Sequence, residues 1–375
     1  MKISTLHTAV LGLAALAKAS YINYTTVTGY FMQDEVSTDP STFVYYEENF
    51  GLINRTYEGE TYNRNSKDLT QWQRFYNEVV RLNQESPCNV EYKVFFFGRH
   101  GDGYHNDAQA YYGTPAWNCY WAEIDGNDTT TWHDAALSQL GVEQAQTAHN
   151  FWQQLIVDQR IHTPDAYFTS PLTRCLQTAN VTFEGLELPR NSASFKPMVK
   201  ELFREGISIH TCDNRRSKNY IHNLFPEWII ESGFTINDEL WNGITAETTD
   251  AQNMRSKKVL DEVFEELGNR NHEQNLFVSV TSHSGEIGSI LSVLGHRTFS
   301  LNTGAVIPVL IRAETQEKDV VTKCHAWTVS AHCTTPPATS LANCVCASSA
   351  AAVTTPLVTM TSEPSTTSGP VCYDA

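Results

Sequence analysis

The sequence predicts an α/β protein, a three-layer sandwich in which helices cover both faces of a mostly parallel central sheet. Two observations carry this prediction. The short, continuous apolar run at residues 94–97 and the mainly apolar segment at 275–280 have the length and composition of strands buried on both faces of a sheet. Amphipathic stretches with helical spacing, such as residues 253–268, alternate with those runs along the chain, as they do in parallel α/β folds.

The composition limits the classes of partner. The chain has 375 residues, of which 41% are hydrophobic, so it can bury a sizeable core. Its formal net charge is −16. Polyanionic nucleic acid and anionic membrane surfaces are therefore not expected as general partners.

The first 19 residues predict export. Met1 and Lys2 precede a short apolar stretch at residues 9–17, and Ala17 and Ala19 provide small residues at a cleavage site. The stretch is too short to span a bilayer, so no membrane span is expected. We expect a signal peptide at residues 1–19 and a secreted protein, extracellular or in a cell wall. Four acceptor sequons predict a glycoprotein, at Asn23, Asn54, Asn127 and Asn180.

The nine cysteines fit an oxidising compartment. Most are expected to form disulfides, and the odd number leaves one unpaired. No pair has the C-x-x-C spacing of a zinc site, so neither a metal site nor a cofactor is predicted. Residues 334–375 are rich in Ser, Thr and Pro, which predicts a disordered, O-glycosylated tail suited to association with a cell wall.

Between these ends, each segment has an expected role. Residues 20–65 lack periodicity and are predicted to form a surface arm, and residues 66–333 the main domain. Two segments, 107–135 and 206–250, are predicted to be capping insertions, the first as a long loop. Helices are expected at 66–86, from the N-cap Ser138 to Gln159, from Pro171, at 253–268 and at 287–294. Strands are expected at 94–97, 164–169, 195–205, 275–280 and 305–311.

Charged residues follow several of the predicted strands. Arg99 and His100 end the first strand, Arg174 begins the helix after the second, and His283 follows the fourth. Glu205 ends the third strand. The carboxyl ends of parallel strands meet at one edge of the sheet, where such folds bind ligands. We therefore expect these five side chains to converge.

Two arginines and two histidines suit a phosphoryl group. Guanidinium groups bind its oxygens in a bidentate manner, and a histidine can attack phosphorus to form a phosphohistidine. A carboxylic acid can protonate the leaving oxygen and later activate water. The set therefore predicts phosphoryl transfer from small-molecule phosphate esters, with no need for a metal.

Four motifs occur in one order: Arg99-His100-Gly101 with His105-Asn106, Leu137-Ser138 with Gly141 and Gln144, Ser170-Pro171-Leu172 with Arg174, and Ser282-His283-Ser284-Gly285. Together they resemble the histidine phosphatase superfamily, in its phosphoglycerate mutase-like branch, over about residues 92–312. The resemblance implies the phosphoglycerate mutase-like fold, His100 as nucleophile, and Arg99, Arg174 and His283 as the phosphate pocket. It also places Asn106 close to the phosphate.

The proton donor and the substrate contacts are less closely defined by the resemblance. The family's acidic residue after its third strand matches Glu205 best, with Glu201 as the alternative and Asp102 less suited. Arg215 and Arg216 resemble a substrate-binding pair of the mutases, although a solvated charged turn explains them equally well. The acid-phosphatase and phytase branch carries Arg and Pro where this chain has Gly103 and His105, so a phytase is not expected.

Three functions are compatible with these features. The first is a secreted phosphatase that hydrolyses phosphomonoesters through a phosphohistidine on His100. The second is a mutase that returns the phosphoryl group to its product. The third is a non-catalytic cell-wall or surface protein on the same fold, against which the intact set of Arg99, His100, Arg174 and His283 argues.

Overall fold

A computed structural model describes residues 18–58, 68–268, 275–319, 322–337, 346, 353–357 and 372–374. The predicted signal peptide lies almost entirely outside these residues, as does most of the predicted tail. Within the part of the chain that is described, no helix is both long and apolar enough to cross a membrane.

Helices separate most of the strands between residues 18 and 319. The strands are β1 (Lys18–Thr26), β2 (Val90–Arg99), β3 (Ala166–Thr169), β4 (Met198–Val199), β5 (Ile229–Ile230), β6 (Thr245–Ala246), β7 (Phe277–Ser282), β8 (Val306–Asp319), β9 (Thr322–Cys324), β10 (Thr328–Val329) and β11 (Cys372–Asp374). The α-helices are α1 (Gln71–Gln84), α2 (Tyr104–Tyr112), α3 (Thr114–Cys119), α4 (Gln139–Gln154), α5 (Thr173–Phe183), α6 (Lys218–Leu224), α7 (Thr249–Leu267) and α8 (Ser284–Val293).

The central sheet has seven strands in the order β1-β8-β2-β7-β3-β4-β5. The pairs β2–β7, β7–β3, β3–β4 and β4–β5 are parallel, whereas β8 runs antiparallel to both β1 and β2. The predicted mostly parallel sheet is therefore confirmed. Arg99 pairs with Ser282, and Thr169 with Thr281, so β2, β7 and β3 end together at one edge.

Strand β2 shows why helices cover both faces. Val94 and Phe96 pack into one hydrophobic cluster with side chains of α1 and α4, while Phe95 and Phe97 pack into a second cluster with α7 and α8. Alternate residues of a strand point to opposite faces, so an unbroken apolar run needs a covering layer on each side. The three-layer sandwich is confirmed.

One of two predicted helix starts has the expected cap. The Ser138 Oγ accepts a hydrogen bond from Gly141 N at 3.2 Å at the start of α4. Helix α4 ends in a π-helical turn at Leu155–Gln159, which brings its end to the predicted Gln159. The predicted start at Pro171 is wrong by two residues. Helix α5 begins at Thr173, and its Thr173 N–H donates to the Asp134 carboxylate at 2.8 Å.

Three segments differ from the sequence prediction. The strand predicted at 195–205 is reduced to β4, and a 3₁₀ turn at Glu201–Phe203 follows it, so Glu205 does not end a strand. Residues 107–135 are not a long loop, because they contain most of α2 and all of α3, packed around the buried Trp117 and Trp132. The arm predicted at 20–65 is not confined to the surface. It supplies edge strand β1, and Phe31 and Phe50 are completely buried in the main core. Aromatic residues without periodicity can still fill a core, which a periodicity argument cannot detect.

The described cysteines leave more than one thiol free. Cys333 is bonded to Cys346, and Cys119 and Cys324 are also in disulfides. Cys88, Cys175 and Cys212 are unpaired, the last two in the interior. The described parts of the predicted tail contact the domain, since Cys346 joins Cys333 and β11 pairs with β9. The boundary at residue 333 is therefore not the end of the folded chain.

Of the sequon asparagines, Asn54 and Asn127 are exposed. Asn23 lies in β1 and Asn180 in α5, and both are half-buried. The first two therefore fit the surface location that glycan acceptors prefer, whereas the other two fit it less well.

Candidate active site

The predicted convergence takes place at the carboxyl edge of β2, β7 and β3. His100, His283 and Ser170 each follow directly after one of these strands. The rings of His100 and His283 lie 5.1 Å apart between centroids. The backbone fixes this geometry, because His100 N donates to Ser282 O at 2.9 Å and Gly304 N donates to His100 O at 2.9 Å.

His100 has one ring nitrogen free for attack. Its Nδ1 lies 2.7 Å from the carbonyl oxygen of Gly101, which can only accept a hydrogen bond, so Nδ1 carries the proton. Nε2 is then the deprotonated nitrogen. Gly101 is required at this turn, because a Cβ there would lie 2.3 Å from Gly141 O at the start of α4.

Burial and neighbouring cations keep His100 neutral. The side chain is 2% exposed, and burial lowers its pKa well below the usual 6.5, with Arg174 and Arg99 lowering it further. The pKa of His283 is also well below its usual value, for the same reasons of burial and proximity to Arg174. A neutral imidazole amid fixed positive charge has the properties of a nucleophile for an anionic substrate.

The two predicted arginines line this pocket. Arg174 is 1% exposed, and its Nη1 donates to Cys212 O at 2.8 Å. Arg99 donates through Nη1 to Leu301 O at 2.7 Å. In both side chains the Nε is buried without a hydrogen-bond partner in the described part of the chain. Buried donors that lack partners are costly, which indicates an anion to which they would donate.

His283 is held by polar neighbours. Its Nε2 lies 2.8 Å from the Ser170 Oγ and 3.3 Å from the Cys175 Sγ. Neither neighbour was predicted as a site residue. The thiol is not a second nucleophile, because burial raises the pKa of Cys175 above its usual value. In the sequence, Ser170 was visible as a member of the Ser170-Pro171-Leu172 motif, but no role in the site was assigned to it.

Glu205 lies beside His283, at the start of α8. Its Oε1 accepts from Gly206 N at 2.9 Å and from Glu286 N at 3.1 Å, and its Oε2 accepts from Gly285 N at 3.3 Å. Burial, followed by the nearby Asp213, raises its pKa above the ordinary value. A raised carboxyl pKa suits a group that must donate a proton.

The alternative acid Glu201 has a different role. It accepts hydrogen bonds from Arg204 Nη1 at 2.9 Å and from Arg215 Nε at 2.6 Å, within a buried ion-pair group that includes Asp238. Asp102 accepts from the Ser138 Oγ at 2.8 Å and so joins the first motif to α4. Both carboxylates are engaged in contacts that support the fold around the site, which leaves Glu205 as the candidate for the acid.

Arg215 and Arg216, the predicted substrate-binding pair, have different hydrogen-bond partners. Arg215 is 2% exposed and donates to Glu201, Thr235, Asn237 and the Arg216 carbonyl, while its guanidinium stacks on Phe234 at 4.2 Å. These contacts hold Arg215 in the fold and argue against a role in substrate binding, so that role stays a prediction. Arg216 keeps a buried Nε without a partner among the described residues, and its backbone N–H donates to Asp134 at 3.2 Å.

The remaining predicted contact, Asn106, is half-buried on the first turn of α2. Its Oδ1 accepts from Gly103 N at 3.0 Å, which closes the loop after the nucleophile. Thr178, which sequence reasoning missed, supports the same loop: its Oγ1 accepts from Gly101 N at 3.0 Å. The two capping segments meet above the edge, since the Thr211 Oγ1 donates to Ile124 O at 2.9 Å.

Among the residues that the structure describes, one group of side chains could in principle hold a metal. His210, Cys212 and Asp213 bring potential ligand atoms within 4.8 Å of one another. A cation there would lie beside Arg174, whose Nη2 is 3.8 Å from the Asp213 Oδ1. Burial and Asp213 also raise the pKa of the Cys212 thiol well above its usual value, which opposes formation of the thiolate ligand. The donor set therefore fits a metal ion poorly.

Comparison with known proteins shows the family to which the chain belongs. Residues 121–303 match the model of the histidine phosphatase superfamily (branch 1). The chain is 48% identical over 82% of its length to "Probable phosphoglycerate mutase" of Arthroderma benhamiae, covering 89% of that protein. It is 38% identical to "Phosphomutase-like protein 3" of Candida albicans, over 66% of this chain and 74% of the other.

Among solved structures, phosphoglycerate mutase from Bacillus anthracis aligns with 62% of this chain and 94% of its own length. Its sequence identity is 17% and its TM-score is 0.38.

Proposed function

The chain belongs to the histidine phosphatase superfamily, and on that premise we propose that it is a phosphatase that hydrolyses small phosphomonoesters. The observation that carries the proposal is the state of His100. Its Nδ1 proton is held by the Gly101 carbonyl, so Nε2 faces the reaction as a neutral nucleophile between two guanidinium groups with free donors.

The reaction proceeds in two displacements. In the first, His100 Nε2 attacks phosphorus, the ester P–O bond breaks, and the departing oxygen takes the proton of Glu205. In the second, the Glu205 carboxylate takes a proton from water, the hydroxide oxygen bonds to phosphorus, and the P–N bond breaks to release phosphate. Arg99 and Arg174 neutralise the oxygens of the phosphoryl group throughout.

A mutase is the second candidate, and the names of the relatives favour it. The two functions share the first displacement and differ in the acceptor. A mutase must retain the bound product and return the phosphoryl group to it, whereas a hydrolase admits water. A mutase also requires that its phosphohistidine intermediate is not hydrolysed by water before the phosphoryl group is returned.

The discriminating experiment uses purified protein with an aryl phosphate and with phosphoglycerate. Hydrolysis is expected for wild type and is expected to be lost in His100→Ala, with phosphate bound to His100 detected by mass spectrometry after a rapid alkaline quench. His162→Ala is the matched control, because His162 precedes β3 at the opposite edge of the sheet. Interconversion of phosphoglycerates without phosphate release would overturn the hydrolase in favour of the mutase.

We propose further that the protein is exported. The apolar start of the chain, the predicted cleavage site and the exposed Asn54 and Asn127 sequons support this. When the chain is expressed with its native N-terminus in a secreting host, the protein should appear in the medium. Its first residue should be Ser20, and treatment with a glycosidase should lower its mass. Retention inside the cells with Met1 intact would contradict the proposal.

A further inference from the structure

His105 is a buried histidine next to the nucleophile, and the mechanism above does not use it. It lies on the first turn of α2 and is 8% exposed. Its ring centroid is 5.4 Å from that of His100. Its Nδ1 is fully buried without a hydrogen-bond partner in the described part of the chain. A buried polar atom left without a partner is costly and calls for an explanation.

The surroundings of His105 are those of the phosphate pocket. Burial lowers its pKa well below the usual value, and Arg174, His100, Arg99 and His210 lower it further. Cations and neutral imidazoles therefore surround this ring. A neutral imidazole carries one N–H, which could donate a hydrogen bond to an oxygen of a bound phosphoryl dianion.

Gly103 explains how the ring reaches this position. The backbone at Gly103 has φ −118° and ψ 161°, which any residue can adopt. A Cβ at Gly103, however, would lie 2.8 Å from the His105 Nδ1 and 3.0 Å from its Cε1. The glycine is therefore required by the imidazole and not by the chain conformation. It leaves Nδ1 enclosed, so Nε2 is the ring nitrogen that a ligand could approach.

We propose that His105 is a further phosphate-contacting residue, whose Nε2–H donates a hydrogen bond to the transferring phosphoryl group. The proposal deepens the proposed function and rests on it. In the free protein the His105 Nδ1 is then unprotonated, and it packs against Gly103 without accepting a hydrogen bond from any described residue. The contact is made to the phosphoryl oxygens, over which the charge of the transition state is spread.

Substitution of His105 separates this role from a packing role. His105→Phe keeps the ring volume without a donor, and should lower kcat/KM for an aryl phosphate about 10- to 100-fold. The affinity for vanadate, a mimic of the five-coordinate transition state, should fall in parallel. His105→Gln places an amide N–H near the Nε2 position and should recover part of both. A melting temperature close to that of wild type shows that the fold is retained.

Gly103→Ala tests the same contact without touching the histidine. Its Cβ should displace the ring and reproduce the loss of vanadate affinity. Gly288→Ala is the control, because a Cβ at Gly288 meets no atom within 4 Å. The proposal is overturned if His105→Phe and Gly103→Ala both bind vanadate within twofold of wild type.

The same measurements distinguish failure of this inference from failure of the proposed function. If wild type hydrolyses the ester in a His100-dependent manner while His105→Phe is unchanged, only the role of His105 is refuted. If wild type shows no hydrolysis but its vanadate affinity depends on His105, the contact is supported and the hydrolase is refuted.

Discussion

Replacing Glu205 by glutamine tests the proposed general acid with little change of shape. The carboxylate accepts three backbone N–H groups, two at Oε1 and one at Oε2. The amide keeps the first two bonds, but its NH₂ group faces Gly285 N at the position of Oε2, 3.3 Å away. One unpaired backbone donor costs about 1–3 kcal/mol of stability, and the long bond puts the cost at the lower end. The protein should therefore remain folded.

Glu205→Gln should affect catalysis more than stability, and the loss of activity should depend on the leaving group. Removing a general acid typically costs about 10²- to 10⁴-fold. We expect this full loss for alkyl phosphates, whose alkoxide cannot leave unprotonated. A nitrophenyl phosphate needs no proton for departure, so its first displacement should slow far less. Because Glu205 also activates the water, breakdown of the phosphohistidine should then limit turnover.

The assay is rapid-mixing kinetics with a series of leaving groups. Glu205→Gln should release one nitrophenolate per site in a burst, followed by slow turnover, and should show a steeper dependence on leaving-group pKa than wild type. Equal slowing for all leaving groups, with no burst, would refute the assignment. The control is Glu201→Gln, which disturbs the buried ion pairs to Arg204 and Arg215 and should lower the melting temperature without changing that dependence.

Four further predictions follow from the same geometry. Gly285→Ala places a Cβ 2.3 Å from the Glu205 Oε1 and should lower kcat for alkyl phosphates more than for nitrophenyl phosphate, whereas an equal effect on both would contradict the contact. The pKa of His100 lies below 6.5 in the folded state, so the unfolded chain binds this proton more readily than the folded chain does. The free energy of unfolding should therefore fall as the pH drops below about 6.5. The acid limb of kcat/KM that is due to His100 should also lie below that pH, and both effects can be measured by pH titration. Arg215→Ala should lower the free energy of unfolding by about 3–5 kcal/mol, and with it the melting temperature, but leave KM unchanged. Arg216→Ala should raise KM and leave the melting temperature unchanged. The reverse pattern would restore Arg215 as a substrate contact. Dialysis against a chelator should leave activity intact because guanidinium groups supply the positive charge, and a loss restored by a divalent ion would implicate the cluster at residues 210–213.

The sequence by itself determined the sheet and the reacting groups. The apolar run before Arg99 requires cover on both faces, and the parallel arrangement brings the ends of β2, β3 and β7 to one edge. His100, Arg174 and His283 were therefore predictable as neighbours, because period-2 burial and the strand–helix order are local properties of the chain. The same reasoning placed Glu205 near them.

Only the tertiary structure separated the charged residues of the candidate site from those that support the fold. Glu201 and Glu205 are four residues apart and chemically alike, yet Glu201 is paired with buried arginines and Glu205 accepts a backbone N–H at the start of α8. Arg215 and Arg216 differ in the same way. Whether a guanidinium has free donors depends on partners distant in sequence, such as Thr235 for Arg215. Long-range pairing of this kind leaves no local pattern, which is why the role of His105 also became visible only in three dimensions.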